Sequence, residues 1–351
     1  MKVLLIQPVN HEVYSGMYNL VTLAAHVENY AQVKLLDPMR EPLATTLLSW
    51  KPDIVGLTAY TVHYPAAIKI AEKVAQILPS ALRVLGGVHI TCLPKSLHPI
   101  FDLGIIGEGE ATLESICIVE KHRLNDLAGV CYRINDEVIV NRSRGPFPVN
   151  LPVPNQLKYI SKEYFSQGIT CMIGSRGCPF RCEFCYSKAV YREVRYYPVE
   201  RVVGEMKYQY KKMASKLIIM WDDTFVLDRN RLAAMREEMK KQEILGKVNL
   251  GIHMRTSVVD EDLMILLKGL GVSNMNVGLE SGSNRVLEQV KGKGATVEKH
   301  KECIELGHKY GINVDGSFIF GMPGEKIEDM QKTLEFMEWL HLKKQQKVFT
   351  G

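Results

Sequence analysis

The sequence predicts two consecutive α/β domains: a doubly wound, Rossmann-like parallel sheet, then a partial (β/α) barrel. Three observations carry that expectation. Short aliphatic runs without polar alternation recur along the chain, as expected of strands buried on both faces of a parallel sheet. Segments of helical spacing separate them, which is the alternation of βαβ units. Between residues 126 and 160 the alternation gives way to a hairpin and a proline-rich stretch, dividing residues 1–125 from residues 161–351. A chain of 351 residues has room for two cores of ordinary size.

In the first domain the expected strands are Lys2–Ile6, Val33–Leu36, Asp53–Thr58, Leu82–Gly86 and Gly104–Ile106. The helix between the third and fourth, Ala66–Leu78, aligns Ala67, Ile70, Ala71, Val74 and Ile77 in one apolar stripe. Ligands of a doubly wound sheet bind outside the carboxyl ends of its strands. The loops there are Thr58-Ala59-Tyr60-Thr61, Gly86-Gly87-Val88-His89 and Gly107-Glu108-Gly109-Glu110-Ala111-Thr112. Glycine lets a ligand approach the backbone, and a helix N-terminus offers unpaired amides. Plain strand-to-helix turns account for these loops equally well. Gly129–Val140 then reads as a hairpin turning at Asn135-Asp136, followed by Leu151-Pro152-Val153-Pro154.

In the second domain the expected strands are Thr170–Ile173, Lys216–Met220, Asn249–His253, Asn274–Gly278 and Asn313–Phe320. Helical spans fall at Pro198–Met213, Arg229–Gln242, Asp260–Leu267 and Val297–Tyr310. Repeated βα units of this length place a site at the carboxyl ends of the strands. Those ends carry Trp221-Asp222-Asp223-Thr224-Phe225, Arg255 and Gly278-Leu279-Glu280-Ser281-Gly282.

Composition narrows the class. Hydrophobic residues make up 46% and charged residues 24%, the values of a globular protein, and the net charge is only +5. The basic run Lys207–Lys216 is interleaved with Tyr208, Tyr210 and Met213, which describes a solvated helix face and not a nucleic-acid stripe. The apolar run at Val3–Ile6 is too short for a signal peptide, and no later run approaches a membrane span. Eight cysteines, five of them scattered, are not a secreted disulfide framework. No nucleic-acid or membrane partner is expected, and the setting is read as cytoplasmic.

The remaining three cysteines are the most telling feature. Cys178-Pro179-Phe180-Arg181-Cys182-Glu183-Phe184-Cys185 places three thiols in one loop, spaced C-x-x-x-C-x-x-C, with no fourth at ligand spacing. A closed zinc site needs four protein ligands. Three thiolates suit three irons of a cubane cluster and leave the fourth iron open for another ligand. The competing readings are a zinc loop completed by a distant residue such as His253, or cysteines that are merely buried.

Gly177-Cys178-Pro179 through Cys185-Tyr186 resembles the signature of radical S-adenosylmethionine (SAM) enzymes. That resemblance implies a [4Fe-4S] cluster on Cys178, Cys182 and Cys185, with SAM on the open iron and Phe184 packed near its adenine. Asp222 and Asp223 stand where the family holds the methionyl ammonium, although helix capping would explain them too. Glu280 and Ser281 resemble a SAM-contacting loop, and Glu325, in Gly321-Met322-Pro323-Gly324-Glu325, lies one residue later than the family pattern. Arg255 suits either the SAM carboxylate or a salt bridge within the barrel.

The first domain resembles the cobalamin-binding domain fused to one large radical SAM subfamily, and the hairpin and proline-rich bridge recur there as well. Its implied cobalamin contacts are Thr58, Ala59, Gly86, Gly87, Val88, His89, Gly107, Glu108, Gly109 and Glu110. The Asp-x-His-x-x-Gly motif that supplies an axial histidine is missing, which implies histidine-off binding, and a core histidine is the simpler reading of His89. The loop Asn10–Gly16 lacks the family's Pro-Leu-Gly pattern. The family also continues past a proline-rich sixth strand, so a helix near Met330–Leu340 and a stub at Lys347-Val348-Phe349 suggest a chain lacking the usual C-terminal region.

The resemblance implies one-electron cleavage of SAM to a 5′-deoxyadenosyl radical, with cobalamin as methyl carrier to an unactivated carbon. It thus implies a methyltransferase acting on a small molecule or peptide, with an electron donor such as flavodoxin or ferredoxin. Two alternatives stand beside it: a radical cyclase or rearrangement enzyme resembling anaerobic tetrapyrrole cyclases, and a non-catalytic metal-binding module.

Overall fold

A computed structural model describes residues 1–9, 17–149, 153–191 and 193–344. The loop Asn10–Gly16, the Leu151-Pro152 half of the proline-rich stretch and the stub at Lys347–Phe349 lie outside the described residues. The chain divides into two units, Met1–Tyr164 and Phe165–Gly351.

In the first unit, strands β1 (Lys2–Ile6), β2 (Gln32–Leu36), β3 (Ile54–Thr58), β4 (Leu82–Gly86), β5 (Leu103–Ile105), β6 (Val130–Ile134) and β7 (Glu137–Val140) form one sheet. Its order is β2-β1-β3-β4-β5-β6-β7, with β1 to β5 parallel. The five predicted strands all form, each within a residue of its expected ends. Val3, Leu4, Ile6, Val55 and Leu85 are fully buried, and Ala67, Ala71 and Val74 of the helix Tyr64–Ile77 pack against the sheet.

The hairpin does not stand apart from this domain. β6 pairs antiparallel with β5, and β7 with β6, so the segment expected as a connector forms one edge of the first sheet. Buried Val130 and Cys131 draw it there, since a two-stranded hairpin alone buries too little to be stable. Asn135 turns the hairpin with φ of 54°, a left-handed conformation that Asn tolerates.

The second unit holds strands β8 (Ile169–Met172), β9 (Ser175–Arg176), β10 (Arg195–Tyr196), β11 (Leu217–Met220), β12 (Asn249–Met254), β13 (Val272–Glu280) and β14 (Asn313–Phe318). Five of them form a parallel sheet in the order β14-β13-β12-β11-β8, and β9 and β10 make a short antiparallel pair. The helices between them begin where the side chains allow. Asp228 accepts from Arg231 N at 3.0 Å to cap Arg229–Lys241, and Asp260 accepts from Leu263 N at 2.9 Å to cap Glu261–Leu270. Every parallel strand of this sheet therefore delivers its carboxyl end to the same side.

Candidate sites at the cysteine loop and at the switch-point loops

The cysteine loop leaves β8 and is held to the loop after β11. Gly174 N and Ser175 Oγ donate to the two carboxylate oxygens of Asp222 at 2.7 and 2.6 Å, while Arg231 Nη2 donates to Gly174 O at 2.9 Å. Asp222 is buried, and burial pushes its pKa up to about 6. Asp223 accepts from Gly177 N at 3.2 Å, and burial raises its pKa as well. Gly177 has φ of 92°, and a Cβ there would press into the Glu193 carbonyl, so this turn requires glycine. The two aspartates thus differ: both oxygens of Asp222 are committed to the loop, whereas Asp223 lies near enough to the thiols for its charge to help raise the Cys185 pKa.

The three thiols are free and partly exposed. Cys178 Sγ lies 3.3 Å from Thr224 Oγ1, Ser187 N donates to Cys185 Sγ at 3.4 Å, and Arg255 Nη1 donates to Cys182 Sγ at 3.7 Å. Burial pushes the Cys182 and Cys185 thiols up, and Lys291 and Arg255 pull Cys182 back down. Those two cations offset charge on a thiolate ligand, which fits a metal cluster whose ligands must lose their protons. Among the described residues no three His, Cys, Asp or Glu side chains close around a single ion. A cubane satisfies this geometry because each thiolate takes a different iron. His253, the suggested fourth zinc ligand, instead packs against the Trp221 ring at 5.6 Å.

The carboxyl ends of β12 and β13 complete the surroundings. Glu280 is buried with φ of 62°, a left-handed conformation uncommon outside glycine. Its Oε1 lies 3.4 Å from Lys291 Nζ, which also donates to Gly278 O. Lys291 was not anticipated: it sits on the helix Asn284–Lys291, in a position that no motif marks. Ser281 is fully buried; its hydroxyl meets Thr333 Oγ1 at 3.2 Å and accepts from Ser283 N at 3.1 Å. Glu325 closes its own loop by accepting from Gly321 N and Met322 N at 2.6 and 3.1 Å. Phe184 is 40% exposed, open to a flat ligand. The structure therefore gathers Asp223 and Glu280 at the strand ends that hold the cysteine loop, while Asp222, Arg255, Ser281 and Glu325 are engaged by other groups of the protein.

In the first unit the strand order reverses between β1 and β3, the switch point at which doubly wound sheets bind ligands. The loops after β3 and β4 are joined: Ala59 N donates to Gly86 O at 3.1 Å and His89 N to Ala59 O at 3.0 Å. Gly87 has φ of 96°, and a Cβ there would lie 2.6 Å from Thr58 Oγ1. Thr91 Oγ1 accepts from Gly107 N at 3.0 Å and donates to Gly87 O at 2.8 Å, tying in the loop after β5. At Gly107 nothing lies within 4 Å of where a Cβ would be, so a ligand can reach that backbone. Glu108 is drawn away to Phe147 N at 2.7 Å, and Glu110 is buried.

The His89 ring is engaged within its own unit. It is stacked on Tyr64 at 3.9 Å, with Nδ1 3.1 Å from Thr61 Oγ1 and Nε2 3.0 Å from Ser96 Oγ. The glycine-lined loops fit cobalamin, and the tied-up imidazole fits histidine-off binding.

Comparison with known families decides the assignment. The Radical SAM superfamily matches residues 172–337, and the B12 binding domain matches residues 16–117. The chain belongs to the cobalamin-binding radical SAM enzymes. An uncharacterised methyltransferase of Pyrococcus horikoshii is 28% identical over 97% of this chain and 79% of its own length. The anaerobic magnesium-protoporphyrin IX monomethyl ester cyclase of Cereibacter sphaeroides is 28% identical over 88% of this chain, which spans only 54% of that relative. Among solved structures, the radical SAM methyltransferase TsrM of Kitasatospora setae, with cobalamin and a [4Fe-4S] cluster bound, superposes with a TM-score of 0.79. It is 20% identical, covering 97% of this chain and 70% of its own, and so shares the fold. This radical SAM enzyme accordingly uses a [4Fe-4S] cluster, SAM and cobalamin. Among its described residues no helix is long and apolar enough to cross a membrane.

Proposed function

We propose that this radical SAM enzyme is a cobalamin-dependent methyltransferase that acts on an unactivated carbon of a small molecule or peptide. The observation that carries the proposal is the presence on one chain of a three-thiol loop at the strand ends of a parallel sheet and of a switch-point cradle in which both ring nitrogens of His89 are engaged. When bound, the cluster and SAM supply radical generation, and cobalamin supplies a methyl carrier, chemistry that side chains cannot perform.

The chain's own residues hold and insulate these groups. Cys178, Cys182 and Cys185 anchor the cluster, and Asp222 keeps their loop against the sheet through Gly174 and Ser175. Asp223 and Glu280 offer carboxylates to the SAM ammonium or ribose, with Lys291 as the countercharge to Glu280. Phe184 offers a flat face to adenine. Gly107 leaves its backbone open to the corrin, and Gly87 lets the loops after β3 and β4 close on each other. A flavodoxin- or ferredoxin-type protein supplies the electron.

A second reading, oxidative ring closure of a tetrapyrrole-like substrate, is favoured by the similarity to the cyclase. The test begins with anaerobic purification and reconstitution with hydroxocobalamin, expecting about four irons and one cobalt per chain. Methyl-labelled SAM is then supplied with candidate substrates. Label in the product supports methyl transfer, a cyclised product without label supports the second reading, and iron without cobalt overturns the first.

A further inference from the structure

We propose that Arg255 is a positioning residue for the cluster, a fixed N–H···S donor to Cys182 that raises the cluster's reduction potential, and not a ligand of the SAM carboxylate. The inference rests on the reading of the three cysteines as cluster ligands.

Arg255 follows β12 and is only 6% exposed. Each of its three nitrogens has a partner: Nε donates to Ser257 Oγ at 2.8 Å, Nη2 to Lys291 O at 2.8 Å and Nη1 to Cys182 Sγ at 3.7 Å. The Phe180 ring, from the cysteine loop itself, covers the guanidinium at 4.4 Å. A two-pronged grip on a carboxylate requires two parallel N–H groups along one edge of the guanidinium. Both edges that include Nη2 are already engaged by protein, so the geometry that would favour carboxylate binding is spent on holding the group still.

The groups against the other two thiols are neutral: the Thr224 hydroxyl, whose own proton goes to Asp223 O, lies beside Cys178, and the Ser187 amide donates to Cys185. The one at Cys182 is a guanidinium that carries a full positive charge. Reduction adds negative charge to the cluster and its thiolates. A cationic donor therefore stabilises the reduced form more than the oxidised form, and hydrogen bonds to the ligand sulfurs are a known control on cluster potential. Because Ser257, the Lys291 carbonyl and Phe180 fix the group, its contribution is present before SAM arrives.

The test is a redox titration, without SAM, of reconstituted wild type, Arg255→Lys and Ser257→Ala, following the reduced cluster by electron paramagnetic resonance. Potentials are compared only between samples with equal iron content. Arg255→Lys keeps the charge but loses the planar fork, and we expect the reduced fraction at fixed potential to fall about tenfold, equivalent to about 59 mV for a one-electron couple. Ser257→Ala, which frees Nε and leaves the buried packing in place, should shift the couple in the same direction by less. Unchanged potentials in both variants overturn the proposal. Unchanged potentials with weakened binding of SAM assign Arg255 to the SAM carboxylate instead. Failure of the wild type itself to take up iron would overturn the cluster reading together with this one.

Discussion

Glu280 and Lys291 form a buried ion pair beside the cysteine loop, Oε1 to Nζ at 3.4 Å, with the residues 6% and 8% exposed. Burial raises the Glu280 pKa and lowers that of Lys291, so loss of hydration outweighs the attraction between them. A buried pair on a residue with left-handed φ is a costly arrangement of the kind that clusters at functional sites.

Removing one partner leaves the other charge stranded. Lys291→Met should destabilise the second unit by roughly 3 kcal/mol, whereas the double variant Glu280→Gln/Lys291→Met should recover most of that loss. Urea denaturation of the iron-free protein measures both. A single variant as stable as wild type would mean that the pair is solvated.

Asp222 makes a pH signature. Its folded pKa of about 6 lies above the usual carboxylate value, so its contribution to stability is full below about pH 4 and is lost as pH rises through about 6. A shift from 3.8 to about 6 corresponds to roughly 3 kcal/mol at most. Asp222→Asn removes the ionisation, and the difference in denaturation midpoint between variant and wild type should change across pH 4–7 and flatten above it. A constant difference would show that Asp222 is not buried as described.

Cys182→Ala should lose both iron and SAM cleavage. Iron and labile sulfide should fall well below about four per chain, and 5′-deoxyadenosine formation with dithionite should be abolished. Cleavage by a fully loaded variant would remove Cys182 from the ligand set.

Gly87→Ala tests the cradle in the first unit. The new Cβ would lie 2.6 Å from Thr58 Oγ1 and 2.9 Å from the Ala59 backbone, at a φ of 96° that L residues rarely adopt. A cost of about 1–3 kcal/mol is expected, together with weaker hydroxocobalamin binding seen as loss of its bound spectrum. Iron uptake should be unchanged, because the three thiols belong to the other unit.

Much of this was legible in the chain because the signals are local. Unalternating aliphatic runs located the five parallel strands of the first sheet, since a strand buried on both faces has no polar side to show, and the resumed strand–helix alternation located the five of the second. The cysteine spacing pointed to three candidate cluster ligands because all three thiols lie in one loop. Asn135-Asp136 announced the hairpin, but nothing in it announced that β6 would pair with β5 and extend the sheet, because pairing depends on which edge is open. The same limit applied to the two aspartates. Asp222 and Asp223 are neighbours in sequence, and only the fold turns one toward Gly174 and the other toward Gly177.

By itself the sequence determined the order of elements, the three-thiol loop and the glycine turns after β4 and β5, all properties of a few adjacent residues. Tertiary structure decided what surrounds them. Lys291 is 11 residues from Glu280, and Arg255 is 73 residues from Cys182, yet each pair meets at the carboxyl ends of parallel strands. Such contacts leave no periodic trace in the chain, because they depend on where strands pair and helices return. That same return occupies both nitrogens of His89, making a loop histidine that reads as a potential ligand into part of the packing.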